Sequence, residues 1–234
     1  MKKLSLVIFL FSSLAVLGQR KKNVQDVPTE TITTSSGIDA KVMGMRKYAG
    51  YFDYYYDEKQ DMILLVIDKF NIEFLYVEGL TSGVGSNDIG LDRNQLGRER
   101  IVKFDRRGPK VLMIEPNYYY RAISDNAAER RAVEEAFAQS VIWGFTILTE
   151  EAGKVLVDAT DFLIQDVHDV VGSLRNAQQG SYSLDKSRSA MYLPGTKNFP
   201  ENSEFEVTLT FTGLPTGGFI RSVTPTPSSI TVRE

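Results

Sequence analysis

Between Tyr51 and Leu80 the chain sets three apolar runs of strand length almost end to end: YFDYYYDE (51–58), MILLVIDK (62–69) and NIEFLYVEGL (71–80). Only KQD and Phe70 part them. Runs this short, built from Tyr, Phe, Ile and Val, suit a pleated surface; an amphipathic helix needs about ten or more residues of 3.6 periodicity. In the third run Ile72, Phe74 and Tyr76 alternate with Glu73, Leu75 and Val77, which makes one aromatic face and one mixed face. The segment RIVKFDRRGPKVLMIEPNYYYRA (100–122) reads as a further hairpin. Arg107-Gly108-Pro109 supplies its turn, because glycine tolerates positive φ and proline fixes its own. Pro116 ends or edges the second strand, since it has no N–H to give to a ladder. Eleven Tyr and thirteen Phe against one Trp agree with β-rich packing.

The period then changes. NAAERRAVEEAFAQSVIWGF (126–145) predicts a helix, with Asn126 as cap, Glu129 completing a capping box and Gly144 at its end. Its apolar face is Val133, Ala136, Phe137, Ser140 and Val141. FTILTEEAGKVLVDAT (145–160) predicts a hairpin about Glu151–Lys154. DFLIQDVHDVVGSLRN (161–176) predicts a second helix that turns Phe162, Leu163, Val167, Val170 and Val171 to the core. Further on, Phe205, Val207, Leu209 and Phe211 alternate with polar neighbours as one good strand, and FIRSVTPTPSSITVRE reads as strand up to Glu234. The fold class is therefore α+β: predominantly antiparallel β-sheet with two amphipathic helices.

The N-terminus sets the compartment. MKKLSLVIFLFSSLAVLGQ has a basic start, a short apolar run and small residues before Gln19, the pattern of a secretory signal over residues 1–18. That run is too short for a comfortable membrane span, which takes about 20 apolar residues, so no stable span is expected once the signal is cleaved. Residues 19–47, with TETITTSSG inside them, read as a flexible linker, and 48–234 as the folded domain. Losing Lys2 and Lys3 takes the 27 basic residues to 25 against 30 acidic ones, a net charge of −5. Export and that charge argue against nucleic acid as a partner. The absence of cysteine excludes disulfides and thiol chemistry. Periplasm, outer membrane and the outside of the cell are the compartments left.

No self-contained active site is legible. In GVGSNDIGLDRNQLG (83–97) the glycines miss the dinucleotide and P-loop spacings, and no helical period follows to face a phosphate. Ser86 and the four residues Asn87, Asp88, Asp92 and Asn94 offer hard oxygens of the kind calcium prefers. The same residue types also hold tight turns through Asx bonds, and a structural loop is the reading taken. The lone histidine, His168, cannot make a zinc site without cysteines or further histidines, and reads as a helix-surface residue between Asp166 and Asp169. Ser183 and Lys186 match SxxK but lie in a turn-like segment, so no catalytic residue is assigned. The arginine-rich RIVKFDRRGPK reads as a sheet face with salt bridges.

The ordered blocks LDR, RRGPK, NYYYRA, LVDATDFL and FPENSE resemble one known arrangement, and the resemblance extends over about residues 40–232. It is the N-terminal domain, of unassigned function, of large bacterial exported zinc-dependent metalloproteases of the metzincin-like type. The resemblance implies a noncatalytic domain that supports or regulates a protease domain downstream in the same polypeptide. There an HExxH helix would hold zinc and act on protein or peptide substrates. It implies no zinc ligand and no catalytic residue at any position here, and it reads the strand running to Glu234 as a chain that continues. Charge and position, rather than the resemblance, suggest that Asp92 and Arg93 pin the long loop to the sheet and that Arg188 pairs with Glu204 or Asp185. The alternative is a stand-alone exported module that binds a peptide or glycan by stacking on Tyr54, Tyr56, Tyr118 and Tyr120.

Overall fold

A computed structural model describes residues 37–234. The signal segment and most of the 19–47 linker lie outside the described residues. The chain runs through α1 (Ile38–Lys41), β1 (Arg46–Tyr48), β2 (Tyr54–Asp57), β3 (Met62–Ile67), β4 (Glu73–Leu80), β5 (Gln95–Arg107) and β6 (Lys110–Glu115). Then come α2 (Ala127–Ala136), β7 (Ser140–Glu151), β8 (Lys154–Asp158), α3 (Thr160–Leu163) and α4 (Val170–Asn176). The last part holds β9 (Gly180–Leu184), β10 (Ala190–Met191), β11 (Lys197–Phe199), β12 (Asn202–Glu204), β13 (Val207–Pro215), α5 (Gly218–Val223) and β14 (Ser229–Arg233).

Eight strands form one antiparallel sheet in the order β1-β2-β3-β8-β7-β6-β5-β4. In a second antiparallel sheet β13 is central, with β14 on one side and β9 and β10 on the other. β11 and β12 make a separate hairpin. The turns follow from the residues at them. Gly108 sits at φ 58 between the paired ends Arg107 and Lys110, and Ala152-Gly153 both take positive φ between Glu151 and Lys154, as a tight hairpin demands. β6 stops at Glu115, before Pro116.

One core joins the two sheets. Phe104, Phe145, Ile63, Leu65 and Val102 from the large sheet pack in one cluster with Leu209, Phe211, Ile230 and Val232 from the small one. Edge-to-face contacts tie Phe52 to Phe74 and Phe104, and Phe104 to Phe145. A second, smaller cluster explains why MILLVI shows no alternation. Ile63, Leu65 and Ile67 face the main core, while Leu64 and Val66 are buried on the other side with Leu156, Tyr55, Ile38 of α1 and Val42 just after it. A strand covered on both faces has no position for a polar residue. α1 falls inside the stretch expected as linker: Ile38 is buried and its N–H donates to Glu151 Oε2 at 3.1 Å. Residues 38–47 are thus part of the folded body.

The two long helices of the sequence reading are corrected. The first ends at Ala136, and SVIWGF belongs to β7, with Gly144 opposite Leu112 inside the strand. α2 buries no residue, so the face drawn through Val133 and Val141 is not a core face. The second is broken into α3 and α4, with Asp169 in the left-handed region at φ 56 between them. Asp166 Oδ1 and Oδ2 accept from the N–H groups of Val170 and Val171, and Asp169 Oδ1 from Gly172. The acids that looked like a helix surface are the start signal of a new helix. The C-terminal stretch is likewise split into α5 and β14. Among the described residues no helix is long and apolar enough to cross a membrane.

Candidate functional site

The glycine segment is an ordered loop between β4 and β5. Val84 N–H donates to Leu91 O at 3.0 Å, Ile89 to Ser86 O at 3.3 Å and Gly90 to Asn87 O at 3.0 Å. Val84, Ile89 and Leu91 drop into the main core and bolt the loop down. Gly85 and Gly90 take φ of 84 and 77, and a Cβ on Gly83 would collide with the Leu91 carbonyl. A strand follows the loop, not a helix. Of the calcium candidates, Asn87, Asp88 and Asn94 are exposed and Asp92 is half-buried. Backbone bonds and buried aliphatics hold the loop, rather than Asx side-chain bonds from these four. Among the described residues no group of three or more His, Cys, Asp or Glu converges as a metal site.

Chemistry concentrates further along the same two strands. On β4 the inward register Phe74, Tyr76, Glu78, Leu80 contains a carboxylate, and on β5 the register of Val102 and Phe104 contains Arg100. Glu78 and Arg100 meet as a buried ion pair. Arg100 Nε stands 3.6 Å from Glu115 Oε2, and Arg98 donates to Glu115 Oε1 at 2.8 Å. The Tyr76 phenol is pushed up, first by burial and then by the Glu78 charge. Beside this pair lies Glu234, whose Oε2 accepts from the N–H groups of Val167 and His168 at 3.0 and 3.2 Å. Its carboxyl is pushed up to about 8 by burial and by the charges of Asp166 and Glu78, against the pull of those two N–H bonds. Asp166 is raised too, mainly by burial, with its helix-capping bonds opposing. His168 lies in the loop before α4, not on a helix. Its Nε2 is 3.1 Å from Gln95 Oε1, and its Nδ1 sits above Gly97, where a Cβ would come within 3.2 Å of it.

That these residues meet in one cluster is not legible in the sequence, though one signal is there. An acid at an inward strand position costs several kcal/mol unless it is paired. Glu78 in the alternation with Phe74, Tyr76 and Leu80 therefore calls for a partner, and only strand register shows that the partner is Arg100. Arg188 pairs with Asp185 at 2.8 Å, the second of the two partners expected. Ser183 lies in β9 opposite Thr212 and Lys186 binds Asp161 at 2.7 Å, so the two do not form a catalytic pair.

The outer face of the large sheet is uneven. α1 covers the β2-β3-β8 end. At the β4-β5 end Leu75 and Ile101 face each other across the strands, 60% and 41% exposed, with Val77 and Leu96 also exposed. Tyr118 reaches over to Glu73 through its hydroxyl, and Tyr119 is 95% exposed. Tyr120 stacks on Phe137 with centroids 3.8 Å apart. Tyr54 and Tyr56 are buried, at 0% and 8%, so neither can stack on a ligand, which corrects the four-tyrosine surface. Between β5 and the chain after β6 lies a cleft of about 490 Å³, lined by Arg98, Glu99, Ile101, Asn117, Tyr119 and Ser140 among others.

Residues 94–233 match the family described as "Domain of unknown function (DUF5117)", and the chain belongs to it. The matched span starts at Asn94, at the end of the glycine loop, and carries β5 through β14. No curated protein and no solved structure matches the chain.

Proposed function

We propose that this chain is the noncatalytic N-terminal part of an exported zinc-dependent metalloprotease, and that it supports or regulates a catalytic domain carried downstream in the same polypeptide. The sequence blocks from LDR to FPENSE support the link to that class. The single structural observation that favours a supporting role is the bare β4-β5 outer face. Leu75, Ile101, Val77, Leu96 and Tyr119 leave apolar surface in water on a sheet whose outer face is covered by α1 at its other end. Contiguous apolar surface of this sort marks a contact with another protein surface. Zinc and catalysis belong to the downstream domain, since one histidine and no cysteine cannot build its site here. Export would bring the polypeptide to the periplasm, the outer membrane or the medium.

Two measurements test the proposal. The purified chain, given zinc, is expected to bind no stoichiometric metal and to cleave no casein. Chelator-sensitive cleavage by the pure chain would overturn the noncatalytic reading. The intact mass of the native exported protein is expected to lie several-fold above that of this chain. A native mass equal to this chain or below it would overturn the multidomain reading.

A further inference from the structure

β5 is longer than the strand beside it. β6 pairs with β5 only from Lys103 to Arg107, while β4 follows β5 from Lys103 back to Gln95. β6 cannot go on, because Pro116 stands at the next ladder position and carries no N–H. Over Leu96–Ile101 the backbone groups that point away from β4 therefore have no strand beside them. Antiparallel ladders alternate their bonds between the two neighbours, so about half the N–H and C=O groups of Arg98–Ile101, the part of β5 that borders the cleft, face it; a register shift between Val77 and Gly79 interrupts the ladder beyond. The lining confirms an open edge. Ile101 belongs to the outer side of the sheet, opposite Leu75, while Glu115 engages Arg100 on the core side, and both border the same space. A gap between strands accounts for side chains from both faces of the sheet bordering one cleft.

We infer that this gap binds an extended peptide segment, which adds to β5 as a strand on the line that β6 leaves at Pro116. The volume of about 490 Å³ falls within the range of about 300–1,000 Å³ typical of ligand clefts. The four residues Arg98–Ile101 along the cleft match about 13 Å of extended chain. Asn117 holds the chain at the mouth of the cleft, its Nδ2 donating to Ala138 O at 3.0 Å. Side chains of the added strand alternate between the faces. One set lands on Ile101, Tyr118 and Tyr119, which selects apolar or aromatic residues at every second position. The other set meets Arg98 and Glu115. This is recognition by strand addition, in which the ladder gives affinity and alternate pockets give selectivity. It stands whether or not the parent polypeptide is a protease.

The test uses the purified chain and a library of capped, fluorescein-labelled hexapeptides with Val, Ile or Tyr at alternate positions. Members are expected to bind saturably, and exchange of the backbone amides within Leu96–Ile101 that face away from β4 is expected to slow. N-methylation of the peptide amides on the β5-facing edge is expected to weaken binding by about tenfold, since each blocked ladder bond is lost outright. Tyr119→Ala, at a fully solvated position, and Ile101→Lys are each expected to weaken it severalfold, with the circular dichroism spectrum unchanged. Three results would overturn the inference. The first is a library with no saturable member. The second is binding indifferent to N-methylation, which would mean side-chain stacking without a ladder. The third is a concentration-dependent dimer that protects the same amides and that no peptide displaces, which would assign the edge to a second copy of the chain.

Discussion

Glu234 shows how one side chain can couple this fold to pH. Its carboxyl is pushed from 4.5 to about 8, and burial is the first cause. Above the ordinary value the unfolded chain has lost this proton, while the folded chain keeps it to about pH 8. The folded state thus binds more protons through that window, and stability falls as pH rises from about 4.5 to about 8. Asp166, raised in the same way, acts in the same direction. Urea melts at pH 5, 6.5 and 8 are expected to show that decline. Glu234→Gln keeps an acceptor for the Val167 and His168 N–H groups and cannot ionise, so it is expected to flatten the slope and to gain on the order of 4 kcal/mol at pH 8. Equal slopes in the two proteins would show that Glu234 is ionised in the folded state. A second residue, Gly97, gives a steric check. A Cβ there meets Glu78 O and His168 Nδ1, both at 3.2 Å. Gly97→Ala is expected to cost about 1–3 kcal/mol, as overpacking does, and to shift the His168 ring resonances.

At the scale of elements, α2 is the clearest case of a helix made by local signals alone. Asn126 accepts from Ala128 N–H at 3.0 Å, and its Nδ2 donates to Glu129 Oε1 at 3.2 Å, yet no residue of the helix is buried. Asn126→Ala is therefore expected to cost about 1 kcal/mol of local helix stability and to leave the global unfolding midpoint in place. Hydrogen exchange over residues 127–136 reads the first effect, and a urea melt the second. The sequence named this cap correctly and the helix length wrongly, for a physical reason. Ala136, Phe137, Ser140 and Val141 satisfy a helical period, while Trp143, Phe145 and Ile147 satisfy a strand period, and the two overlap with no proline or cap between them. Packing against β6 and β8 decides for strand. The hairpins at Gly108-Pro109 and Ala152-Gly153 were legible because glycine and proline act within the turn itself. The β5 gap, the Glu78–Arg100 pair and the seat of His168 over Gly97 were not, because each depends on which strand lies beside which. The glycine loop was legible as a structural loop but not by its expected means. Its staples are Val84, Ile89 and Leu91 rather than its Asn and Asp side chains. Gly83→Ala, which drives a methyl into the Leu91 carbonyl, is expected to destabilise by more than about 2 kcal/mol.

The two sheets are one folding unit at the scale of the whole molecule, because neither owns its core. Phe211 of β13 is fully buried in the cluster that holds Phe145 of β7 and Phe104 of β5. Backbone and side-chain bonds stitch the same seam. Thr81 N–H donates to Arg233 O at 2.8 Å and Arg233 N–H donates to Ser82 O at 2.9 Å, while Phe52 N–H, donating to Ser203 Oγ at 3.1 Å, ties in the β11–β12 hairpin. Trp143, the single tryptophan, lies on β7 in the large sheet and packs against Phe145 and Phe162. Its fluorescence therefore reports on one sheet, while far-ultraviolet circular dichroism reports on both. Phe211→Ala empties a site in the small sheet and is expected to cost about 3–5 kcal/mol. If the core is shared, the tryptophan transition and the dichroism transition in urea move together by the same amount, although the substitution lies in the sheet without the tryptophan. Were the sheets independent, the tryptophan signal would keep its midpoint while the dichroism split into two steps. Coincident transitions would also bear on the β5 gap. Its frame of β4, β5 and β7 would then be as stable as the whole fold, giving an incoming strand a fixed edge to pair with rather than one that must first be ordered.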